Sequence, residues 1–137
     1  MKVWITITSV QTLADETETT HLHTQGQMER DKDAWLLTYR ESAESGMAGA
    51  VTRIRASADS VDIRRTGSLN SRLLLEEGRR HVCRYDTGYG VLPLGVHTHR
   101  VENRLEEAGG HLRLRYALEW EGGAVAQQEL LLQVQRL

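Results

Sequence analysis

Five side chains stand out as able to hold a ligand: Arg65, Arg72, Tyr85, Thr87 and Thr98. They fall on consecutive expected strands around a glycine turn at Gly88 to Gly90. An arginine turned into a barrel lumen clamps a carboxylate or phosphate, because its planar guanidinium offers parallel N–H donors. The remaining lumen residues would be aliphatic, as the linings of small-molecule sites generally are. The same residues also support a purely structural reading. An arginine at the closed end of a barrel satisfies backbone carbonyls, and Tyr85 is then a core residue with a bonded hydroxyl. Both readings stay open at this stage.

Other chemistry-bearing residues form weaker constellations. His21/His23 and His97/His99 are two His-x-His pairs, and in a strand the two members of a pair point the same way. Each pair is able to chelate a metal, and four imidazoles would make a tetrahedral site if the strands faced each other. Nothing in the sequence brings them face to face, so no metal or other cofactor is expected. These histidines are read as exposed or hydrogen-bonded in threonine-rich strands. Cys83 is the only cysteine, which excludes an intrachain disulfide and a cysteine-rich metal site. It is expected to face inward as an inert thiol, with Arg84 on the opposite face. Glu76/Glu77 and Glu106/Glu107 read as solvated charges at turns. Gly88-Tyr89-Gly90 lacks the phosphate-loop pattern and opens no helix. Trp4, Trp35 and Trp120 are expected in the core or as plugs at the barrel ends. No nucleophile–base pair can be assembled, so an enzyme ranks behind the binding and structural readings.

The elements that must position these residues are strands. Period-2 alternation recurs from end to end. Lys2 to Gln11 carries Val3, Ile5 and Ile7 on one face. Glu18 to Arg30 is polar, with His21, His23 and Gln25 together and a bend at Gly26. Ala34 to Ser42 aligns Trp35, Leu37 and Tyr39. Ala48 to Ala56 and Ser60 to Arg65 follow, and then Leu69, Ser71, Leu73 and Leu75 share an inward face. Glu77-Gly78 reads as a hairpin turn before Arg79 to Thr87. Leu92, Leu94, Val96 and Thr98 line the next strand. His99 to Ala108 fits helical spacing but is better read as a continued strand with a parity switch after Thr98. Gly109-Gly110 reads as a turn, His111 to Trp120 as the clearest strand, Glu121-Gly122-Gly123 as a turn, and Ala124 to Arg136 as the last strand. The expected fold is therefore all-β, an antiparallel meander closed into a barrel of about eight to ten strands, a spacing typical of such folds.

Length and composition bound the rest. A chain of 137 residues fits one domain, residues 1–137, with a single core. Phe is absent, so that core rests on Leu, Val, Ile, Trp and Tyr. With 17 basic and 19 acidic residues interspersed along the chain, no basic face is evident and no nucleic acid partner is expected. No stretch has the apolar length of a signal peptide or a membrane span. With the lone cysteine, this suggests a cytoplasmic protein without a membrane partner. A protein partner is left unassigned.

The order of several motifs adds a family resemblance. Arg65-Thr-Gly67, Arg72-Leu73, Gly78, Tyr85-x-Thr87-x-Tyr-Gly90, Leu92-x-Leu94-x-Val96-x-Thr98, Gly110-x-Leu-x-Leu-x-Tyr116 and Glu129-Leu-x-Leu resemble a YwiB-like bacterial family of unknown function. The opening Val3-x-Ile-x-Ile-x-Ser9 and Gly26 fit it too. The resemblance implies a calycin-like, lipocalin-like barrel and no established activity. The chain departs from the family pattern at Gly88, where proline is usual, and at Leu75, where phenylalanine is usual.

The leading expectation is thus a barrel holding a small, partly apolar or anionic ligand. A lumen packed solid by Leu73, Leu92, Leu114 and Leu132 would exclude it. The alternative is a ligand-free structural or protein-interaction module with an apolar patch near Leu131 or Leu74.

Overall fold

Apolar side chains alternate with polar ones through nearly every segment, and each apolar set ends on the inside of one sheet. The computed structural model describes residues 1–86, 89–120, 123 and 125–137. Among these, ten strands form: β1 (Lys2–Leu13), β2 (Glu16–Asp31), β3 (Ala34–Arg40), β4 (Ala50–Ala56), β5 (Ser60–Gly67), β6 (Ser71–Glu76), β7 (Arg80–Asp86), β8 (Val91–Glu106), β9 (Gly109–Glu119) and β10 (Val125–Arg136). One 3₁₀ turn, Ala43–Ser45, interrupts the β3–β4 connection. No helix among the described residues is long and apolar enough to cross a membrane.

The sheet runs β6-β5-β4-β3-β2-β1-β10-β9-β8-β7, antiparallel throughout. The first and last strands pair from Val3↔Arg136 to Leu13↔Ala126, which curls the meander into a nearly closed barrel of the calycin-like kind. Odd-to-even connections lie at one end, here called the upper end. Even-to-odd turns and both termini lie at the lower end. The lower half is solidly filled. Ile5, Met28, Leu37, Leu75, Leu112, Leu114 and Leu132 are all fully buried there, each contributing about 1.5–3 kcal/mol through removal from water. Asn103 Nδ2 closes that end by donating to the Ser57 carbonyl at 2.9 Å.

Residues 99–106 continue β8 as strand, not helix. A bulge between Thr98 and Arg100 supplies the expected parity switch and returns Val101 to the interior. The turn expected at Gly109-Gly110 is instead formed by Glu107 and Ala108. Both glycines belong to β9, where positive φ values and close backbone approach exclude a side chain. A Cβ on Gly109 would overlap the Val134 carbonyl oxygen, and one on Gly110 the Arg104 carbonyl oxygen. Gly88, Glu121 and Gly122, expected in turns, lie outside the described residues.

Closure is incomplete along one line. β6 and β7 are consecutive and adjacent, yet they form the two ends of the hydrogen-bonded sheet. Side chains span the gap between them. The Leu74 N–H donates to Cys83 Sγ at 3.3 Å, the Asn70 N–H to Asp86 Oδ2 at 3.4 Å, and His81 Nε2 meets Glu76 Oε1 at 3.0 Å. Cys83 is inward and buried, as expected, and its thiol takes the place of a ladder carbonyl.

Candidate functional site

The upper half of the barrel holds a buried polar cluster, and alternation explains most of it. Tyr39 on β3, Thr52 on β4, Arg65 on β5 and Ser71 on β6 are successive cross-strand partners, so all four share the inward face. Glu41 lies two residues past Tyr39 and turns the same way. Its side chain is only 2 % exposed and accepts a hydrogen bond from Thr52 Oγ1 at 2.7 Å. Arg65 Nε stands 3.6 Å from the same carboxylate oxygen, with its side chain 18 % exposed. That separation is an ion pair without a hydrogen bond, and Arg65 Nε is left buried and unsatisfied.

Two phenols complete the cluster. Burial pushes the Tyr39 hydroxyl above its ordinary pKa, and the Glu41 charge pushes further in the same direction. Burial also pushes Tyr116 up to about 12, with the positive charge of Arg65 opposing and Tyr85 adding. Tyr116 therefore lies within electrostatic reach of both Arg65 and Tyr85. It is also the cross-strand partner of Thr98, which is fully buried with an unsatisfied Oγ1. Buried polar atoms without partners are uncommon in native proteins and call for a water, an ion or a ligand.

Arg65, Tyr85 and Thr98 are thus gathered around Tyr116. Arg72 is not. Leu73 and Leu75 face inward, so parity sends Arg72 to the outer wall, 51 % exposed, where it binds Asp62 through Nε and Nη2 at 3.1 and 3.0 Å. Thr87 lies outside the described residues. Glu41, Thr52, Tyr39 and Tyr116 are the additions the structure makes. Parity with Tyr39 was the signal that would have found Glu41.

An opening leads toward this cluster. β3 pairs with β2 only from Gly26 to Asp31, so β2 from Glu16 to Gln25 has no strand beside it on that side. A cavity of about 150 Å³ sits there, lined by Ile7, Leu22, Thr24, Tyr39 and Glu41 among others. Around the upper rim, Leu92 is 45 % exposed, whereas Leu73, Leu114 and Leu132 below it are buried.

The histidine pairs remain apart. β1, β10 and β9 separate β2 from β8, a distance of roughly 19 Å around the wall at about 4.8 Å per strand. His21 and His23 bond Thr8 and Thr6, and His23 stacks on Trp4 on the outer surface, so Trp4 is not a core plug. No group of three or more His, Cys, Asp or Glu among the described residues is placed to hold a metal.

Residues 5–132 match the family described as "Domain of unknown function (DUF1934)". The chain belongs to that family. The DUF1934 barrel is also similar to the ywiB protein from Bacillus subtilis, seen in a crystal structure, with a TM-score of 0.88 and 17% identity over 98% of this chain and 90% of that one. At that identity the likeness establishes the fold, and it bears out the YwiB-like resemblance noted in the sequence. No curated protein matches the chain. Within the DUF1934 fold, the Arg65–Glu41 cluster is the constellation that geometry singles out.

Proposed function

We propose that this protein is a small cytoplasmic barrel that binds a small, partly apolar ligand through an acceptor group directed at Arg65. The observation that carries the reading is the buried, unsatisfied Nε of Arg65, which lies within electrostatic reach of Tyr116, the cross-strand partner of Thr98 with its orphaned hydroxyl. A ligand oxygen at Arg65 would satisfy the guanidinium, with the Tyr116 and Tyr85 phenols nearby. The apolar part would lie against Leu118 and Leu130, which pack against the core without being fully buried, with Leu92 exposed at the rim. The 150 Å³ cavity, which reaches Tyr39 and Glu41 but not Arg65 itself, is below the usual range for drug-sized sites. Glu41 already balances the charge of Arg65. A neutral acceptor or a singly charged carboxylate therefore fits better than a polyanion. The free thiol of Cys83 is in keeping with a reducing cytoplasm.

Glu41 also favours a second reading. The Glu41–Thr52–Arg65 contacts serve equally as an internal brace in a ligand-free module. Native mass spectrometry of protein purified from its own host separates the two. A copurifying small molecule that is retained by wild type and lost on Arg65→Met supports binding. Bare protein, together with no thermal shift from a panel of small carboxylates and amides, supports the brace. For comparison, a ligand at a hundredfold excess over Kd adds about 2.7 kcal/mol.

A further inference from the structure

The outer wall carries a cationic feature that hides in the sequence because its members are far apart along the chain. Pairing aligns Lys2↔Gln27, Gln27↔Thr38, Thr38↔Arg53, Arg53↔Arg64 and Arg64↔Arg72 in one lateral row across β1 to β6. Parity turns the whole row outward. At roughly 4.8 Å per strand the row spans about 24 Å. Like charges directly opposite each other in a sheet are destabilising, yet three arginines stand abreast here. At the β5–β6 end, Asp62 offsets them by binding both Arg64 and Arg72. At the other end no carboxylate among the described residues does.

At that unbalanced end the wall is indented. A depression of about 400 Å³ lies there, bordered by Lys2, Arg40 and Arg53 with Gln25, Gln27 and Thr38. No carboxylate lines it. Among the described residues, none of its three cations makes an ion pair, and Arg53 has only Thr66 Oγ1, at 3.4 Å. The volume lies within the range of small-molecule sites.

We infer that this groove is an anion site for a phosphate-bearing small molecule, held by Lys2, Arg40 and Arg53 and oriented by the two glutamines and Thr38. Arginine suits phosphate because its N–H groups match two phosphate oxygens at once, and lysine adds a point charge. The amide side chains supply donors and acceptors for an organic body attached to the phosphate. The site is on the opposite side of the wall from Arg65, so it stands or falls independently of the interior reading.

The test is calorimetric titration of wild-type protein with inorganic pyrophosphate, orthophosphate and a nucleoside monophosphate, at low and at physiological salt. Pyrophosphate binding is expected to weaken with salt and to weaken at least about tenfold, or 1.4 kcal/mol, in the Arg40→Gln/Arg53→Gln double variant. Arg72→Gln, outside the groove, should leave it within about twofold. Tighter binding of the nucleoside monophosphate than of orthophosphate assigns the glutamines to an organic body, whereas equal binding assigns the groove to the free ion. Amide shifts of wild-type protein on titration give a readout that needs no variant, and they should cluster at residues 2, 25–27, 38–40 and 51–53. Absence of binding, an affinity unchanged in the double variant, or shifts confined elsewhere overturns the proposal.

Discussion

Removing the carboxylate of Glu41 is the sharpest probe of the upper barrel. Glu41→Leu takes away the acceptor of the Thr52 hydroxyl and the counter-charge of Arg65. A hydrogen bond to a charged group contributes about 1.5–3 kcal/mol. Stranding one member of a buried ion pair costs about 3–5 kcal/mol. The second figure must be reduced, because Arg65 keeps 18 % exposure and stands 3.6 Å from the carboxylate rather than bonding it. A net loss of about 3 kcal/mol is expected. Glu41→Gln retains an acceptor for Thr52 and should cost less. Arg65→Met strands Glu41 instead, whose side chain is 2 % exposed, and should cost about as much as Glu41→Leu. The double variant Glu41→Leu/Arg65→Met leaves no stranded charge and only the Thr52 hydroxyl unsatisfied. Its loss should fall short of the sum of the singles by at least about 2 kcal/mol, within the range seen for residues in contact. Urea unfolding of wild type and the four variants at neutral pH measures all the terms. Additive losses would refute the claim that these groups act as a pair.

Three further outcomes follow from the same geometry. Burial, opposed and outweighed by hydrogen bonds from Arg72 and Arg64, leaves the Asp62 carboxyl below its ordinary value of 3.8. The stability it contributes is therefore present above that value and lost as pH falls through the lower folded one. Asp62→Asn should cost roughly 0.5–1 kcal/mol at neutral pH, given its exposed partners, and the difference from wild type should vanish in strong acid. Tyr39 and Tyr116 both ionise less readily folded than unfolded. Stability should thus fall above about pH 10, by about 1.4 kcal/mol per pH unit for each, and Tyr116→Phe should roughly halve the slope of an alkaline unfolding curve. Gly110→Ala forces a methyl group against the Arg104 carbonyl at φ 116. A loss of at least about 2 kcal/mol is expected, and an unchanged unfolding midpoint would contradict the β8–β9 register.

Much of this barrel was legible because strand parity is local. Trp35, Leu37 and Tyr39, or Leu112, Leu114 and Tyr116, announce their face without any knowledge of a partner. What failed depends on partners. Gly109 and Gly110 look like a turn until Val134 and Arg104 approach them. Arg72 is the exception, because its own neighbours Leu73 and Leu75 face inward and place it outside without any partner. Glu41 was passed over at a strand end, where a carboxylate is ordinarily solvated, and only Arg65 and Thr52 from other strands explain its burial. The arginine row was invisible for the same reason, since Arg53, Arg64 and Arg72 become neighbours only through the registers of β4, β5 and β6. An even scatter of charge along a chain therefore says little about charge on its surface.

The gap between β6 and β7 has a consequence for how this molecule comes apart. Every other neighbouring pair of strands shares a backbone ladder, whereas these two are held by a thiol, a carboxylate and an imidazole. Fluctuations that widen the cylinder concentrate where the fewest bonds must break, so the wall parts there first, like a sleeve along its fastening. Solvent then reaches Cys83 before it reaches any ladder amide of the lower core, and the sulfur becomes a clock for the earliest motion of the whole structure.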